Sequence, residues 1–351
     1  MSKCLVVAAG GTGGHIFPGI AVAQHLIAKQ WQVSWIGTDD RMEAQVVPNH
    51  GIEIDFIRAQ GVRGNGLKRL VKAPFMVAKA FFEARKILKQ RRPSAVLTMG
   101  GYVTGPVGLA AKSLGVPLVI HEQNAVAGMT NKLLAKIATS CLGAFPGALP
   151  HRDFAVVGNP VRSSLLSIEP NSVGSPVKVL VVGGSLGAQV LNDVLPETFA
   201  EIAQQYPVSV WHQTGKGRSN KVNEHYQALG LDAKVAEFID DMDEAYRWAD
   251  LVICRAGALT VSEIAAAGRM ALFVPFPHAV DDHQTANARY LVEGEAALCM
   301  PQSDFNKVSV TELLAPYFQK PELISEFGER AKALAKPDAT EQVAKQIEQY
   351  S

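Results

Sequence analysis

Two short passages of this chain repeat one pattern. Residues 1–15, MSKCLVVAAGGTGGH, and residues 177–192, VKVLVVGGSLGAQVLN, each run an apolar stretch into a glycine-rich turn and then into a helical pattern. An apolar run bounded by glycine reads as a strand buried on both faces, as in a parallel sheet covered by helices. Its repetition predicts two doubly wound α/β domains of similar build, with their loops facing each other. A chain of 351 residues is long enough to bury two such cores.

The glycine turns narrow the ligand. In the first, Gly10-Gly11-Thr12-Gly13-Gly14, four glycines in five positions allow close approach of backbone to phosphate or sugar. Ile16 stands where the dinucleotide fingerprint needs its last glycine or alanine, and no Gly-Lys-Ser/Thr follows, so NAD and ATP lose ground. His15 leaves this loop ahead of a helix expected from about Ile20 to Lys29. Its imidazole titrates near neutrality and suits taking a proton from a hydroxyl, or it simply hydrogen-bonds a nearby carbonyl. Residues 249–277, ADLVICRAGALTVSEIAAAGRMALFVPFP, form a third such unit: strand Leu251 to Cys254, a small-residue turn, helix Thr260 to Ala267, strand Met270 to Val274. The loop feeds a helix N-terminus, which suits an anion, typically a phosphate. Glu263, one turn inside, is placed to accept hydrogen bonds from a sugar's hydroxyls. A strand from Pro117 to Ile120 delivers His121-Glu122-Gln123-Asn124 at its carboxyl end, where open α/β sheets bind ligands. Glu122 there is either part of the chemistry or a solvated loop carboxylate.

Charge separates the halves. Residues 1–160 hold 18 Lys and Arg against 8 Asp and Glu, a net +10, and the remainder carries −9. Between Arg58 and Arg92 eleven basic residues face Glu83 alone, interleaved with Leu67, Phe75, Met76 and Phe82. Phe81, Ile87 and Leu88 read as a core stripe, and Lys68, Arg69, Lys72, Phe75, Lys79 and Phe82 as a patch for an anionic membrane surface. No nucleic-acid module accompanies the charge, so no nucleic-acid partner is expected. No run approaches the ~20 apolar residues that span a bilayer, and the N-terminus reads as a first strand rather than a signal peptide. Four scattered cysteines suit neither zinc nor a disulfide framework, which points to a reducing cytoplasm. Asp241 and Asp243 read as helix caps rather than metal ligands. The Pro-, Ser- and Gly-rich stretch 160–176 reads as a linker, and residues from about Glu341 as a weakly amphipathic helix.

Five motifs in order, GGTGGH at 10–15, HEQN at 121–124, GNPVR at 158–162, GGSLGA at 183–188 and GALTVSE at 257–263, together resemble the MurG family. These are the N-acetylglucosaminyltransferases of bacterial peptidoglycan synthesis, and the resemblance spans Lys3 to about Glu348. It implies a GT-B architecture of two Rossmann-like doubly wound parallel-sheet domains facing a central cleft. Residues 1–161 would bind the acceptor and the membrane, 162–338 the UDP-sugar donor, and 339–351 would form a helix packing back on the first domain. It implies inverting transfer of N-acetylglucosamine from UDP-N-acetylglucosamine to the 4-hydroxyl of undecaprenyl-pyrophosphoryl N-acetylmuramyl-pentapeptide (lipid I), giving the β-1,4-linked lipid II. Carried over, Arg162 and Ser185 would hold the diphosphate and the Ile239 backbone would read uracil. Ala258, Leu259, Thr260, Val261 and Ser262 would line the donor site, Glu263 would bind the ribose and Gln284 the sugar. Thr12, Gly13, Gly14 and Asn124 would complete the donor–acceptor seam, with His15 as general base and Glu122 as its rival or orienting partner. No cofactor and no metal are implied. The partners are UDP-N-acetylglucosamine, lipid I, the membrane and other cell-wall synthesis and division proteins, with peripheral attachment to the cytoplasmic face of the inner membrane.

The chain departs from the family at His283-Gln284, where paired glutamines are frequent, and at Arg255-Ala256-Gly257, where Arg-Ser-Gly is usual. Two other readings stay open: a UDP-N-acetylglucosamine epimerase, which needs no basic–apolar patch, and a non-catalytic lipid or nucleotide-sugar binding protein, which gives His15 no task.

Overall fold

The computed structural model describes residues 3–59, 66–149, 153–184 and 187–351, with side chains described for all of these except 66–73 and 280. The chain divides into two compact units, one of residues 1–161 with 336–351 and the other of residues 162–335.

In the first unit the strands are β1 (Cys4–Ala9), β2 (Gln32–Gly37), β3 (Glu53–Phe56), β4 (Ala95–Gly100), β5 (Leu118–Glu122), β6 (Ser140–Gly143) and β7 (Ala155–Val156). Among the described residues they form one parallel sheet in the order β3-β2-β1-β4-β5-β6-β7. In the second, β8 (Val177–Val182), β9 (Val208–Gln213), β10 (Ala233–Ala236), β11 (Leu251–Cys254), β12 (Met270–Phe273) and β13 (Ala297–Cys299) give the order β10-β9-β8-β11-β12-β13, again parallel. In both sheets the chain runs outward over three strands and then returns to the other side of the first. That reversal opens a crevice at the carboxyl ends of β1 and β4, and another at those of β8 and β11. The glycine turns emerge there.

β1 is buried along its whole length, and its side chains alternate between two cores. Leu5, Val7 and Ala9 meet Ile16, Ile20 and Leu26 of the helix Gly13–Ala28. Val6 and Ala8 meet Ala80, Ala84 and Leu88 of the helix Gly66–Arg91, with Val107 and Ala111 of the helix Thr104–Ser113. The helix Ala339–Glu348 adds Val343, Ala344 and Ile347 to the first of these cores and packs on Gly13–Ala28, with Lys29 and Glu348 paired at 3.0 Å. In the second unit Val179, Val181, Leu251 and Ile253 pack with Leu191, Leu195 and Phe199 of the helix Gln189–Ile202.

Two expectations need correcting. The first helix begins at Gly13 rather than near Ile20, because extended Thr12 caps it and its carbonyl accepts from the N–H groups of His15 and Ile16. Gly13 and Gly14 are thus its first turn, and His15 stands on a helix. Nor is 160–176 a loose linker. It holds the short helix Ser163–Leu166, buries Leu165 and Ile168, and is fastened by Asn171 Nδ2 donating to Ala249 O (3.0 Å) and Asp250 Oδ1 (2.8 Å). Lys332 Nζ also donates to the carbonyls of Leu166 (2.9 Å) and Ile168 (2.6 Å). Its prolines, serines and glycines shape turns, while the apolar residues between them supply the burial.

Candidate functional site

In the first unit the loop after β1 meets the loop after β4. Gly10 N–H donates to Gly100 O at 3.3 Å. Gly100 and Gly101 have φ of +111° and +94°, which favour glycine. A Cβ on Gly100 would lie 2.6 Å from His15 Cδ2 and 2.8 Å from Nε2, and one on Gly101 would collide with Gly10 O. The half-buried imidazole of His15 thus rests on bare backbone, and its Nδ1 lies 3.2 Å from Thr12 Oγ1.

Beneath this loop is a carboxylate that sequence reasoning missed. Glu43 is buried, and Gly11 N–H donates to its Oε2 at 3.0 Å. Its Oε1 accepts from Thr38 N–H (3.1 Å) and Thr38 Oγ1 (2.8 Å). In sequence it follows Asp39, Asp40 and Arg41, which read as solvated surface, so nothing local marks it.

The HEQN residues also form a tightly bonded group. Glu122 is buried, and its carboxylate accepts from Asn124 N–H (2.9 Å), Asn124 Nδ2 (3.2 Å), Gly128 N–H (3.1 Å) and Asn131 Nδ2 (2.8 Å). Four donors occupy the lone-pair positions of one carboxylate. This geometry makes Glu122 the organiser of residues 122–131 and orients Asn124 through both its N–H groups. His121 Nε2–H donates to Gly158 O (2.9 Å), and its Nδ1 accepts from Gln123 Nε2 (3.1 Å). Burial pushes this imidazole down to about 4, so it is neutral. Asn159 Nδ2 donates to Gln123 O at 3.2 Å, completing a brace between β5 and residues 158–159.

The basic helix Gly66–Arg91 turns Ala80, Ala84 and Leu88 inward and leaves Phe75 78% and Phe82 67% exposed, with Lys79 also exposed. The side chains of Lys68, Arg69 and Lys72 lie outside the described residues. The structure adds a continuation that sequence reading missed. The helix Thr104–Ser113 packs on this one and the helix Met129–Leu134 on Thr104–Ser113 in turn, exposing Leu109, Met129 and Leu133 beside exposed Lys112, Lys132 and Lys136. No helix among the described residues is long and apolar enough to cross a membrane.

In the second unit Gly257, extended, caps the helix Ala258–Ala267, which ends at left-handed Gly268. Residues 258–262 are therefore its first turns rather than a loop. The Leu259 and Thr260 amides belong to the turn that has no intrahelical acceptor, while Val261 points into the core and Ser262 Oγ donates back to Ala258 O at 3.1 Å. Glu263 follows, its side chain only 13% exposed, with Arg162 Nη2 3.3 Å from Oε1 and Tyr246 Oη donating to Oε2 at 3.2 Å. Burial raises the Glu263 carboxyl, opposed chiefly by the Arg162 charge. Arg162 is also ion-paired with Asp243 at 3.3 Å.

Other predicted residues are placed less directly. Ser185 lies outside the described residues. Its neighbours are anchored: a Cβ on Gly187, φ +70°, would strike Thr214 O, and Asn192 Nδ2 donates to that same carbonyl at 3.1 Å. Asn192 Oδ1 accepts from His212 Nε2 (3.1 Å), and Tyr226 Oη donates to His212 Nδ1 (3.0 Å). Ile239 lies in the segment after β10, and among the described residues its backbone groups make no hydrogen bond. Gln284 opens the helix His283–Val292 with Oε1 accepting from Phe276 N–H at 2.9 Å, after left-handed Asp281 and Asp282. Arg255 is committed to Val274 O (3.0 Å) and Gln302 Oε1 (2.7 Å), a structural cation. Asp241 Oδ1 accepts from Glu244 N–H at 2.8 Å and caps the helix Met242–Trp248.

Comparison with known proteins completes the description. Residues 5–142 match the glycosyltransferase family 28 N-terminal domain and residues 178–343 the family's C-terminal domain. The UDP-N-acetylglucosamine–N-acetylmuramyl-(pentapeptide) pyrophosphoryl-undecaprenol N-acetylglucosamine transferase of Pseudoalteromonas translucida is 63% identical over 100% of this chain and 99% of its own. Among solved structures, Acinetobacter baumannii MurG is 41% identical with a TM-score of 0.86 over 99% of each chain. The UDP-GlcNAc 2-epimerase of Neisseria meningitidis, bound to UDP-GlcNAc, has a TM-score of 0.67 over 99% of this chain and 100% of its own, at 12% identity, a likeness of fold alone.

Proposed function

Since the chain belongs to glycosyltransferase family 28, and within it to the MurG family of N-acetylglucosamine transferases, we propose how its two units divide the reaction. The protein is a UDP-N-acetylglucosamine-dependent glycosyltransferase. The second unit holds the donor and the first supplies the base. The acceptor is the lipid-linked muramyl pentapeptide, and its 4-hydroxyl attacks C1 of the donor sugar. A bond forms between that oxygen and C1 while the bond from C1 to the diphosphate oxygen breaks, with inversion, and UDP leaves with the electron pair. The hydroxyl proton passes to His15.

One observation carries this reading: the imidazole of His15 is held on glycine backbone at the crevice of its sheet, with Nδ1 against Thr12 Oγ1. If Nδ1–H donates to that hydroxyl, Nε2 is the basic nitrogen. Glu122, engaged by four donors, orients Asn124 and the loop instead of competing as base. The leaving diphosphate is stabilised by the N-terminus of the helix Ala258–Ala267 and by Arg162, which turns from Asp243 to phosphate. Those charges serve without a metal. Glu263 accepts from the ribose hydroxyls.

The first unit meets an anionic membrane. Phe75, Phe82, Leu109, Met129 and Leu133, exposed among Lys79, Lys112, Lys132 and Lys136, fit the acyl–headgroup boundary. Each basic residue contributes about 1 kcal/mol there. The lipid acceptor is thereby reached from the cytoplasmic face by a peripheral protein.

The test is UDP release from UDP-N-acetylglucosamine with and without a short-chain acceptor analogue, in EDTA, followed by sedimentation with anionic vesicles. Acceptor-dependent release that survives EDTA is expected. Release without acceptor would overturn the transferase assignment, and loss in EDTA would overturn metal independence. Sedimentation that ignores lipid charge would remove the membrane reading.

A further inference from the structure

Glu263 needs more than burial to serve a sugar. The terminal torsion of a glutamate side chain is broad, so an unbraced carboxylate does not fix the plane in which its lone pairs lie. Among the described residues two groups hydrogen-bond to this one. Arg162 reaches Oε1, but its side chain is 41% exposed, and its guanidinium is divided between Glu263 and Asp243 and engaged by the diphosphate in the mechanism above. Tyr246 is different. It lies in the helix Met242–Trp248, is fully buried, and its backbone carbonyl is held by Arg269 Nε at 2.7 Å. Its hydroxyl donates to Glu263 Oε2 at 3.2 Å. Burial keeps the phenol protonated far above neutral pH, so it remains a donor.

We propose that Tyr246 is a positioning residue for the donor: its hydroxyl fixes the Glu263 carboxylate in the plane that accepts both ribose hydroxyls. This rests on the reading of Glu263 as the ribose carboxylate. The hydrogen-bonding capacity suffices. A carboxylate offers about four lone-pair sites, of which Tyr246 takes one and Arg162 another, leaving two for the 2′- and 3′-hydroxyls. Tyr246 touches no substrate. It acts through Glu263 alone, and its effect belongs to ribose recognition rather than to the chemical step.

The experiment compares UDP, 2′-deoxy-UDP and 3′-deoxy-UDP by titration calorimetry on the full chain, parent and Tyr246→Phe, with melting curves to establish folding. The parent is expected to bind each deoxy ligand roughly tenfold more weakly than UDP, the scale of a hydrogen bond to a charged group. Tyr246→Phe should weaken UDP about tenfold and leave the deoxy ligands nearly unchanged, so that discrimination collapses. The KM for UDP-N-acetylglucosamine should rise with it while kcat stays within about twofold, the pattern of lost uniform binding. If the parent does not discriminate, the ribose reading of Glu263 fails. If the parent discriminates and folded Tyr246→Phe does so equally, the role of Tyr246 fails and that of Glu263 stands. Should Tyr246→Phe not fold, Tyr246→Met supplies the same comparison with a more adaptable apolar side chain.

Discussion

The turns that enter the helices Gly13–Ala28 and Ala258–Ala267 each follow a buried strand and are finished with opposite charge. In the first unit Gly11 N–H is spent on Glu43, so an amide that an anion site would offer to phosphate already faces the protein's own carboxylate. In the second, the carboxylate Glu263 stands a turn inside the helix and is paired with Arg162, whose side chain is partly exposed. Glycine decides how closely a ligand can come to the backbone. What lies beneath decides which ligand is welcome. A loop backed by a carboxylate suits an imidazole that must become cationic as it takes a proton, whereas one backed by arginine suits a departing diphosphate.

The comparison breaks most sharply at His15. His15→Ala should lower kcat by roughly 10²–10⁴-fold, the usual contribution of a general base, with UDP affinity unchanged because the donor belongs to the other unit. The unchanged UDP affinity follows from the proposed placement of the donor on the second unit; initial rates and calorimetry measure both, and a kcat within a few-fold of the parent would remove His15 from the mechanism.

The next effect tests a feature the units share: each holds a buried neutral histidine, His121 bonded to Gly158 O and Gln123, His212 to Asn192 and Tyr226. Burial pushes His121 down to about 4 and His212 down to about 3. The unfolded chain, with histidines near 6.5, therefore binds protons first as pH falls, and native stability declines through that window. The loss begins below pH ~6.5, is complete near pH 4 for His121 and near pH 3 for His212, and amounts to about 3 and about 5 kcal/mol respectively. Urea midpoints from pH 7 to pH 4 should fall, less steeply in His212→Gln. A flat profile would contradict the assignment of neutral imidazoles.

The smallest effect sharpens the contrast. Glu43→Gln keeps one acceptor but sets an amide donor against Gly11 N–H or Thr38, at a cost of about 1–3 kcal/mol. Melting should register it, and kcat should fall about tenfold with the UDP Kd within about twofold. A lower Tm with unchanged kcat would leave Glu43 as scaffolding only.

Sequence legibility followed the same division. Strands that enter glycine turns announce both doubly wound sheets, since apolar runs such as Cys4–Ala9 leave few other ways to be buried. The exposed patch on the helix Gly66–Arg91 was legible as a charge excess, but Met129 and Leu133 join it only through helix packing. Glu43 was invisible because Gly11 meets it from the end of another strand, and Thr38, five residues before it, carries no pattern that marks a pairing. Glu122 was conspicuous for its position at a strand end, yet its four donors come from the loop at 124–128 and from Asn131 on the next helix, whose course no local pattern gives. Local sequence reports where backbone can approach. It does not report which polar groups are already satisfied.

The helix Ala339–Glu348 has a consequence for how the protein is made. Val343, Ala344 and Ile347 complete a core whose other buried members, from Leu5 to Leu142, are all synthesised before residues 162–335. Residues 162–335, which separate these segments in the chain, form a unit of their own. On the ribosome the later-encoded unit can therefore close while the earlier one still waits for its last three apolar side chains. A stop codon just before Ala339 would strike the unit built chiefly from residues 1–161.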